Sequence, residues 1–430
     1  MPRPRRSAPR PRPVDPNVGT EVLLDVGPVA HGGHCVARHE GRVVFVRHTL
    51  PGERVRAVVT DGGKKFWRAD AVEILTASPD RVTPAWAAAG PGGVGGAELS
   101  HVALPAQRRW KAGVLAEQLT RLAGLTRDVA VEAAPGDDER GGLGYRTRIE
   151  LVADATGRAG MRTFRSHDVV ALDSMPLATP EVTALADAED VFTRTWTPGQ
   201  RIDLVAPAGG GEALLLVDGE PWRRGRLDTR PTARRAVTEN VDLAGSSYRY
   251  RVAGDGFWQV HRQAPRVLGE AVLAAVGDVG GGRVLDLYSG AGLFTLPLAD
   301  AVGPRGTVAA VESDERAVKD ARRNVHDRPQ VELHQGAVDR VLGEGSATGA
   351  VAGDVDVVVL DPPRAGAGQS VVEAVAQRSP SRVVYVACDP AALSRDIAYF
   401  AELGYSLGTL QAFDLFCHTH HVEAVAVLER

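Results

Sequence analysis

From residue 283 onward, short apolar runs rich in valine and leucine each give way to a stretch with helical spacing: "RVLDLYSGAGLFTLPLAD", "TVAAVESDERAVKDARRNV", "DVVVLDPPRAG" and "RVVYVACDPAALSRDIAYF". A strand that is apolar throughout is buried on both faces, and a helix after each strand is the unit of a parallel sheet covered on both sides. Residues 251–430 are therefore read as an α/β domain built on a Rossmann-like, doubly wound sheet. Ligands of such sheets bind outside the carboxyl ends of the strands. The residues that close each run are thus the candidates for function.

The rest of the chain divides by pattern. Residues 1–16, "MPRPRRSAPRPRPVDP", carry five arginines and one aspartate and read as a disordered basic tail. Residues 17–76 hold β-rich runs separated by Gly-containing turns, and four or five short strands in that span predict a small closed barrel. With its turns "AHGGHCVAR" and "HTLPGERVR", this segment resembles a TRAM domain, an OB-like RNA-binding barrel. Residues 77–250 open with a Pro/Gly/Ala-rich linker and continue with helical spacing in "WKAGVLAEQLTRLAGL". Strand-like pieces ("GYRTRIELVAD", "EALLLVDG", "SSYRYRVAG") and a helical one ("PEVTALADAEDVFTRT") follow, which makes a central α+β domain.

A chain of 430 residues is long enough for two or three cores. No apolar run approaches a membrane span, and the N-terminus lacks the apolar segment of a secretion signal. Three cysteines, Cys35, Cys388 and Cys417, are too few and too far apart for a disulfide framework and fit a reducing cytoplasm. Net charge is −4, yet residues 251–430 carry 16 basic against 23 acidic side chains. A nucleic acid is therefore expected to be gripped by other parts of the chain or by a local patch.

The first apolar run ends in "LDLYSGAG", with Gly290 and Gly292 in the turn before a helix, where the backbone can come close to a ligand. Alone, that turn serves a dinucleotide enzyme equally well. The next run ends at Glu312, 22 residues after Gly290, where a carboxylate can accept hydrogen bonds from both hydroxyls of a ribose. Together they indicate an adenosine-type cofactor without separating NAD from S-adenosylmethionine. "VVVLDPPRAG" separates them: Asp361 ends its strand and two prolines make a rigid turn. A dehydrogenase has no need of that turn, whereas in methyltransferases it holds a target base beside the methyl sulfonium.

The following run ends at Cys388, beside Asp361 on this topology. A helix beginning near Pro390 is expected to favour its thiolate. Uracil C5 is a poor nucleophile, but a thiolate adding to C6 makes C5 enolate-like and able to attack a methyl group. The C5 proton must then be removed so that the thiolate can leave. Glu423, which opens the terminal strand "EAVAVLE", is the candidate base, a carboxylate out of place in a buried strand without such a task.

On "FWQVH", "LDLYSGAGLFTL", "VESDERAVKDARRN", "LDPPRAG", "ACDPAALSRD" and "FDLFCHTHHVE", residues 251–430 resemble the catalytic domain of the S-adenosylmethionine-dependent RNA 5-methyluridine methyltransferases, which pair it with a TRAM barrel. The resemblance implies a class I methyltransferase fold, an RNA substrate (tRNA or rRNA) and a monomer. Position by position it implies Cys388 as nucleophile and Glu423 as proton acceptor. It places Gln259, Tyr288, Glu312 and Asp361 on the cofactor, Asp361 also on the uracil, and Arg364 on the base or the RNA.

Departures from the pattern are Leu293 and Ala337 at cofactor-lining positions, His261 after "FWQV", Asp389 where asparagine is usual, and Cys417 in place of proline. "VGGAELSH" resembles the iron–sulfur loop of some members, but Val94, Ala97, Ala88 and Met175 stand at the cysteine positions, so no cluster is expected. Nor is a metal expected in "CHTHH", since Cys417, His418, His420 and His421 are too crowded for tetrahedral zinc. Two rivals remain. RNA cytosine-C5 methyltransferases carry a second cysteine in the Asp-Pro-Pro turn, which reads "DPPR" here. A catalytically inactive TRAM-type RNA-binding module has no need of Cys388 and Glu423.

Overall fold

The structure is a computed structural model that describes residues 16–164, 166–343 and 348–430; the expected basic tail, apart from Pro16, lies outside them. Strands β1 (Glu21–Ala30), β2 (His34–His39), β3 (Arg42–Arg47), β4 (Arg54–Asp61) and β5 (Phe66–Thr76) close into a barrel in the order β1-β2-β3-β5-β4. The expected small barrel is thus present. Along β1 burial alternates strictly from Glu21 to Val26, so Val22, Leu24 and Val26 fill the interior with Val44, Val46, Val55 and Cys35.

Helix α1 (Leu104–Gln118) serves two cores. Trp110 and Val114 pack on the barrel, while Leu115 and, just beyond the helix, Leu119 pack into the large α/β core. Strand β6 (Val131–Ala133) follows. A seven-stranded antiparallel sheet comprises β7 (Arg148–Ala153), β8 (Ala159–Arg162), β9 (Val169–Ala171), β10 (Arg201–Val205), β11 (Leu214–Val217), β12 (Glu220–Arg223) and β13 (Arg226–Leu227), with α2 (Pro180–Ala188) between β9 and β10. Ala88, Val94, Ala97 and Met175 meet in the apolar cluster against this sheet, beside Tyr145 and Leu177.

The hairpin of β14 (Ala236–Leu243) and β15 (Ser246–Ala253) buries Val241, Leu243, Tyr248, Tyr250 and Val252 against α3 (Ala264–Val276). Thereafter strands and helices alternate: β16 (Arg283–Leu287), α4 (Thr295–Val302), β17 (Thr307–Glu312), α5 (Glu315–Asn324), β18 (Val331–Gln335), α6 (Val338–Val341), β19 (Val357–Leu360), α7 (Gln369–Ala376), β20 (Arg382–Ala387) and α8 (Pro390–Glu402). Strands β21 (Ser406–Asp414) and β22 (Glu423–Glu429) end the chain. The sheet order is β18-β17-β16-β19-β20-β22-β21-β6. Strands β16 to β20 are mutually parallel, and β22 is antiparallel to its neighbours on both sides. This is the expected α/β methyltransferase-type sheet, with β6 from far upstream added at one edge beside β21. Reversal between β16 and β17 on one side and β16 and β19 on the other leaves a crevice at the carboxyl ends of these strands.

Candidate active site

The register of the sheet brings the strand-end residues together. Strand β20 pairs with β22 so that Ala387 faces Ala424, and one step further along this antiparallel ladder Cys388 faces Glu423. Leu360 is in register with Tyr385, which sets Asp361 beside the end of β20. On its other side, Asp361 donates its backbone N–H to Leu287 O at 3.2 Å. Cys388, Glu423 and Asp361 therefore converge at one carboxyl edge. Of the three cysteines, Cys35 and Cys417 are buried and Cys388 is partly exposed.

Charge in this cluster is predominantly negative. Burial pushes the Cys388 thiol up to about 12, and Glu423 and Asp361 add to the rise while Arg364 opposes it. Desolvation, followed by the charge of Asp286, raises Asp361 to about 7. Burial and then Asp361 hold Glu423 well above the usual carboxylate range, against the pull of Arg364. Glu423 is 4% exposed and its Oε2 finds no hydrogen-bond partner among the described residues. Such an orphaned acid is costly unless it faces a ligand or keeps its proton.

The expected helix does begin at Pro390, but it does not favour the thiolate. Asp389 caps it, with Oδ1 accepting from Ala391 N at 3.0 Å and Ala392 N at 2.9 Å. The N–H groups that were to face the sulfur are satisfied by a carboxylate, and that carboxylate itself raises Cys388. The free site therefore holds a thiol.

Buried partners hold the segments that carry these residues. Asp396 of α8 accepts from Tyr385 Oη at 2.7 Å, Ala367 N at 2.7 Å and Gly368 N at 3.2 Å, which clamps the loop that follows Asp361-Pro362-Pro363. At Gly366 (φ +78°) a Cβ would stand 2.5 Å from Asp396 Oδ2, so the close approach requires glycine. The turn before Glu423 is anchored by fully buried Lys111, whose Nζ donates to Asp414 Oδ1 at 2.5 Å and to Phe416 O at 3.0 Å. The side chains of "CHTHH" turn to separate partners: Cys417 to Asp137, His418 to Gln107 and Gly141 O, His420 to Glu98, and His421 to Arg364. Burial, then His420 and Arg364, lower His421 to about 3, so it is neutral and its Nε2 accepts from Arg364 at 3.0 Å.

The barrel also reaches this edge. In the turn after β1, His31 Nε2 lies 3.2 Å from Asp389 Oδ2. The hydrogen bond to Asp389 raises His31; burial disfavours the Asp389 carboxylate, but the hydrogen bonds from His31 and Ala392 N outweigh it and hold Asp389 low. Two residues on, a Cβ at Gly33 would come 3.0 Å from His420 Nδ1. One barrel turn thus touches the segments carrying Cys388 and Glu423.

At the neighbouring strand ends, Tyr288 takes φ +64° and lines a cavity of about 200 Å³ with Ser313, Ala337, Val338, Asp339 and Val371. Glu312 accepts from Gly290 N at 3.0 Å, Ser313 N at 2.6 Å and Asp314 N at 2.7 Å, and so ties the turns after β16 and β17. Gly290 (φ +57°) has open space where a Cβ would stand, Gly292 takes φ +94°, and Ser289 Oγ is buried without a partner among the described residues. An open backbone cradle, an orphaned hydroxyl and a ring-lined cavity are what an adenosine-type cofactor needs. Gln259 is 8% exposed and follows Trp258, which packs in one cluster with Ala291 and Leu293 of the glycine turn.

Sequence reasoning gave no role to Asp286, His31 and Asp396 and weighed His421 only as a metal ligand. Asp286 left a local signal, an acid in the middle of the apolar run "RVLDLY".

Comparison with known proteins identifies the family and the fold. The TRAM domain family matches residues 16–72, the tRNA (uracil-5-)-methyltransferase family residues 352–430, and the methyltransferase small domain residues 266–382. An uncharacterised RNA methyltransferase of Streptomyces avermitilis is 44% identical over 437 residues, covering 96% of this chain and 99% of the relative. The 23S rRNA (uracil(1939)-C(5))-methyltransferase RlmD of Chromohalobacter salexigens is 34% identical over 446 residues, covering 95% and 89%. In fold, the chain matches the Pyrococcus abyssi tRNA (uracil-54, C5)-methyltransferase in complex with S-adenosyl-L-homocysteine, with a TM-score of 0.67 at 23% identity over 94% of this chain and 100% of that one.

Proposed function

The chain belongs to the S-adenosylmethionine-dependent RNA uracil-C5 methyltransferases, and we propose that it methylates a uridine of tRNA or rRNA through a covalent adduct on Cys388, with Glu423 as the base. The observation that carries this reading is the β20–β22 register, which sets a partly exposed cysteine opposite a buried acid whose Oε2 has no partner among the described residues.

Gln259, Tyr288, Gly290, Gly292, Glu312 and Asp361 are the residues we assign to the cofactor. When bound, S-adenosylmethionine supplies the methyl group and a positive sulfonium that favours the ionised forms of nearby acids. Cys388, partly exposed, gives up its proton to water and its sulfur bonds to C6 of the uracil; the C5=C6 electron pair moves toward the C4 carbonyl. Asp361 and Arg364 orient the ring, and His421 holds Arg364. The electron pair at C5 would form the bond to the methyl group, whose bond to sulfur would break with its pair left on the sulfur, and the Glu423 carboxylate then takes the C5 proton. The C5–H electron pair restores C5=C6, and the C6–S bond breaks to return the thiolate. A uridine in a loop, or one flipped from its stack, can reach this edge.

We further infer a monomer working in the cytoplasm, where its three thiols stay reduced. We infer no iron–sulfur cluster, because Ala88, Val94, Ala97 and Met175 offer no thiolate.

The test uses tRNA and rRNA, separately, from a strain lacking 5-methyluridine, with nucleosides analysed by mass spectrometry. Wild-type protein is expected to form 5-methyluridine in one fraction and Cys388→Ala in neither. Glu423→Gln is expected to accumulate a protein–RNA adduct that survives denaturation. Normal turnover by Glu423→Gln would remove Glu423 from the mechanism. Methylation by Cys388→Ala would remove the adduct.

A further inference from the structure

Residues 251–430 carry a net charge of −7, so an RNA held against this domain needs a local source of positive charge. One groove provides it. A cavity of about 850 Å³ between the outer face of the β14–β15 hairpin and the carboxyl-terminal end of α5 is lined by Arg234, Arg235, Arg249, Arg251, Arg323 and Arg328. The hairpin buries its tyrosines and valines against α3, which leaves Arg249 and Arg251, two apart on β15, on the opposite face.

The acids around the groove leave a positive remainder. Arg235 pairs with Glu220 at 2.6 Å, Arg234 with Glu212 at 3.1 Å, and Arg328 with Asp300 at 2.8 Å and Asp327 at 2.7 Å. Asp320 is shared by Arg251 at 2.5 Å and Arg323 at 3.6 Å, and Arg249 has no acid within reach among the described residues. Five acids thus face six arginines. The Glu220 and Glu212 pairs are exposed and screened by solvent, so a phosphate can take the place of the carboxylate. A guanidinium with one carboxylate still has N–H donors to spare.

The shape fits a polymer. Tyr248 contributes a ring that is only 8% exposed and His326 the one exposed aromatic ring of the lining, so arginine cations dominate the groove. Arg223, Arg224, Arg226 and Arg230 extend the cationic strip upstream; residues 223–235 hold six arginines against the single acid Asp228. The groove lies behind the cofactor turn: Asn324, which lines it at the carboxyl end of α5, donates its Nδ2 to Ala291 O between Gly290 and Gly292 at 2.9 Å.

We infer that this arginine groove is a second RNA site, which binds the phosphodiester backbone outside the target loop. The inference rests on the reading of the substrate as RNA.

The test compares whole-length wild type with Arg249→Glu, Arg323→Glu and Arg249→Lys, using labelled oligouridylates of about 40 and about 6 nucleotides across a potassium chloride series. For the long oligonucleotide, each glutamate variant is expected to lose about tenfold in affinity at low salt and to lower the slope of log Kd against log salt by about one. The short oligonucleotide should bind all variants alike, Arg249→Lys should match wild type, and calorimetric binding of S-adenosylmethionine should be unchanged in every variant. If the glutamate variants bind the long RNA with wild-type affinity and slope, the groove is not an RNA site and the substrate reading stands. If wild type binds neither oligonucleotide in a salt-dependent way, the substrate reading itself fails.

Discussion

Asp286→Asn should stabilise the protein above neutral pH and change it far less in acid. Asp286 lies inside β16, 1% exposed, and its Oδ2 accepts from Thr295 Oγ1 at 2.5 Å. Burial raises its pKa from 3.8 to about 7, with the hydrogen bond from Thr295 pulling down and the charge of Glu312 pushing up. The folded value lies above the unfolded one. The stability this carboxyl contributes is therefore complete below 3.8 and is lost as the pH rises through 7. At about 1.36 kcal/mol per pH unit, the wild type forfeits about 4 kcal/mol across that window. Asparagine cannot ionise, and its Oδ1 still accepts the Thr295 proton, so the variant is spared this loss. Its advantage should grow by about 3 kcal/mol between about pH 5 and about pH 8.5. Urea unfolding followed by circular dichroism at several pH values measures it. A difference that stays flat over this range would refute the claim that Asp286 titrates inside the folded sheet.

The thiol form of Cys388 predicts slow alkylation by iodoacetamide at neutral pH in the free protein, with the rate still climbing about tenfold per pH unit up to about pH 10; a plateau near neutrality would show a resting thiolate. The groups facing His31 are Asp389 and, from α1, Glu117. Protonated His31 offsets the Asp389 charge that raises Cys388, so His31→Ala should slow alkylation roughly two- to fivefold near pH 6 and by less near pH 9, because rising pH removes the His31 proton. An equal slowing at both pH values would mean that His31 acts on packing and not on charge.

The sheet and its functional edge were legible because a buried parallel strand is nearly all apolar, so the residues ending "RVLDLY", "VVVLDPP" and "RVVYVAC" stand out. Once strand order follows, Gly290, Glu312, Asp361 and Cys388 must share an edge. The barrel was legible from its turns. Strand β6 was not: three residues, Val131–Ala133, carry no periodicity, and their place beside β21 is set by pairing with residues far downstream. The acidity of Cys388 was misread for a related reason. A helix start at Pro390 is visible locally, whereas the effect of Asp389, Asp361 and Glu423 on the sulfur depends on burial and distance, which only the fold supplies.

The departures from the family pattern show what sequence reading lacks most. Asp389, His261 and Cys417 look like three unrelated substitutions. In the structure Asp389 meets His31 across 358 residues of chain, and an aspartate can make there an ion pair that asparagine cannot. His261 Nε2 lies 2.9 Å from Asp137 Oδ2, and Cys417 Sγ donates to the same oxygen at 3.4 Å. Two substitutions therefore form one buried contact, completed by Arg140 on Asp137 Oδ1 at 2.7 Å. Each change makes sense only with its partner: a buried aspartate needs donors, and a buried histidine or thiol needs an acceptor. Neither contact touches the Cys388–Glu423 pairing directly. The Asp389 contact steers the charge beside Cys388, and the Asp137 contact, together with Tyr145 Oη donating to Cys417 O at 3.1 Å, fixes the turn that leads to Glu423. The substitutions thus bear on how the two strand ends are held while the reacting groups themselves stay the same.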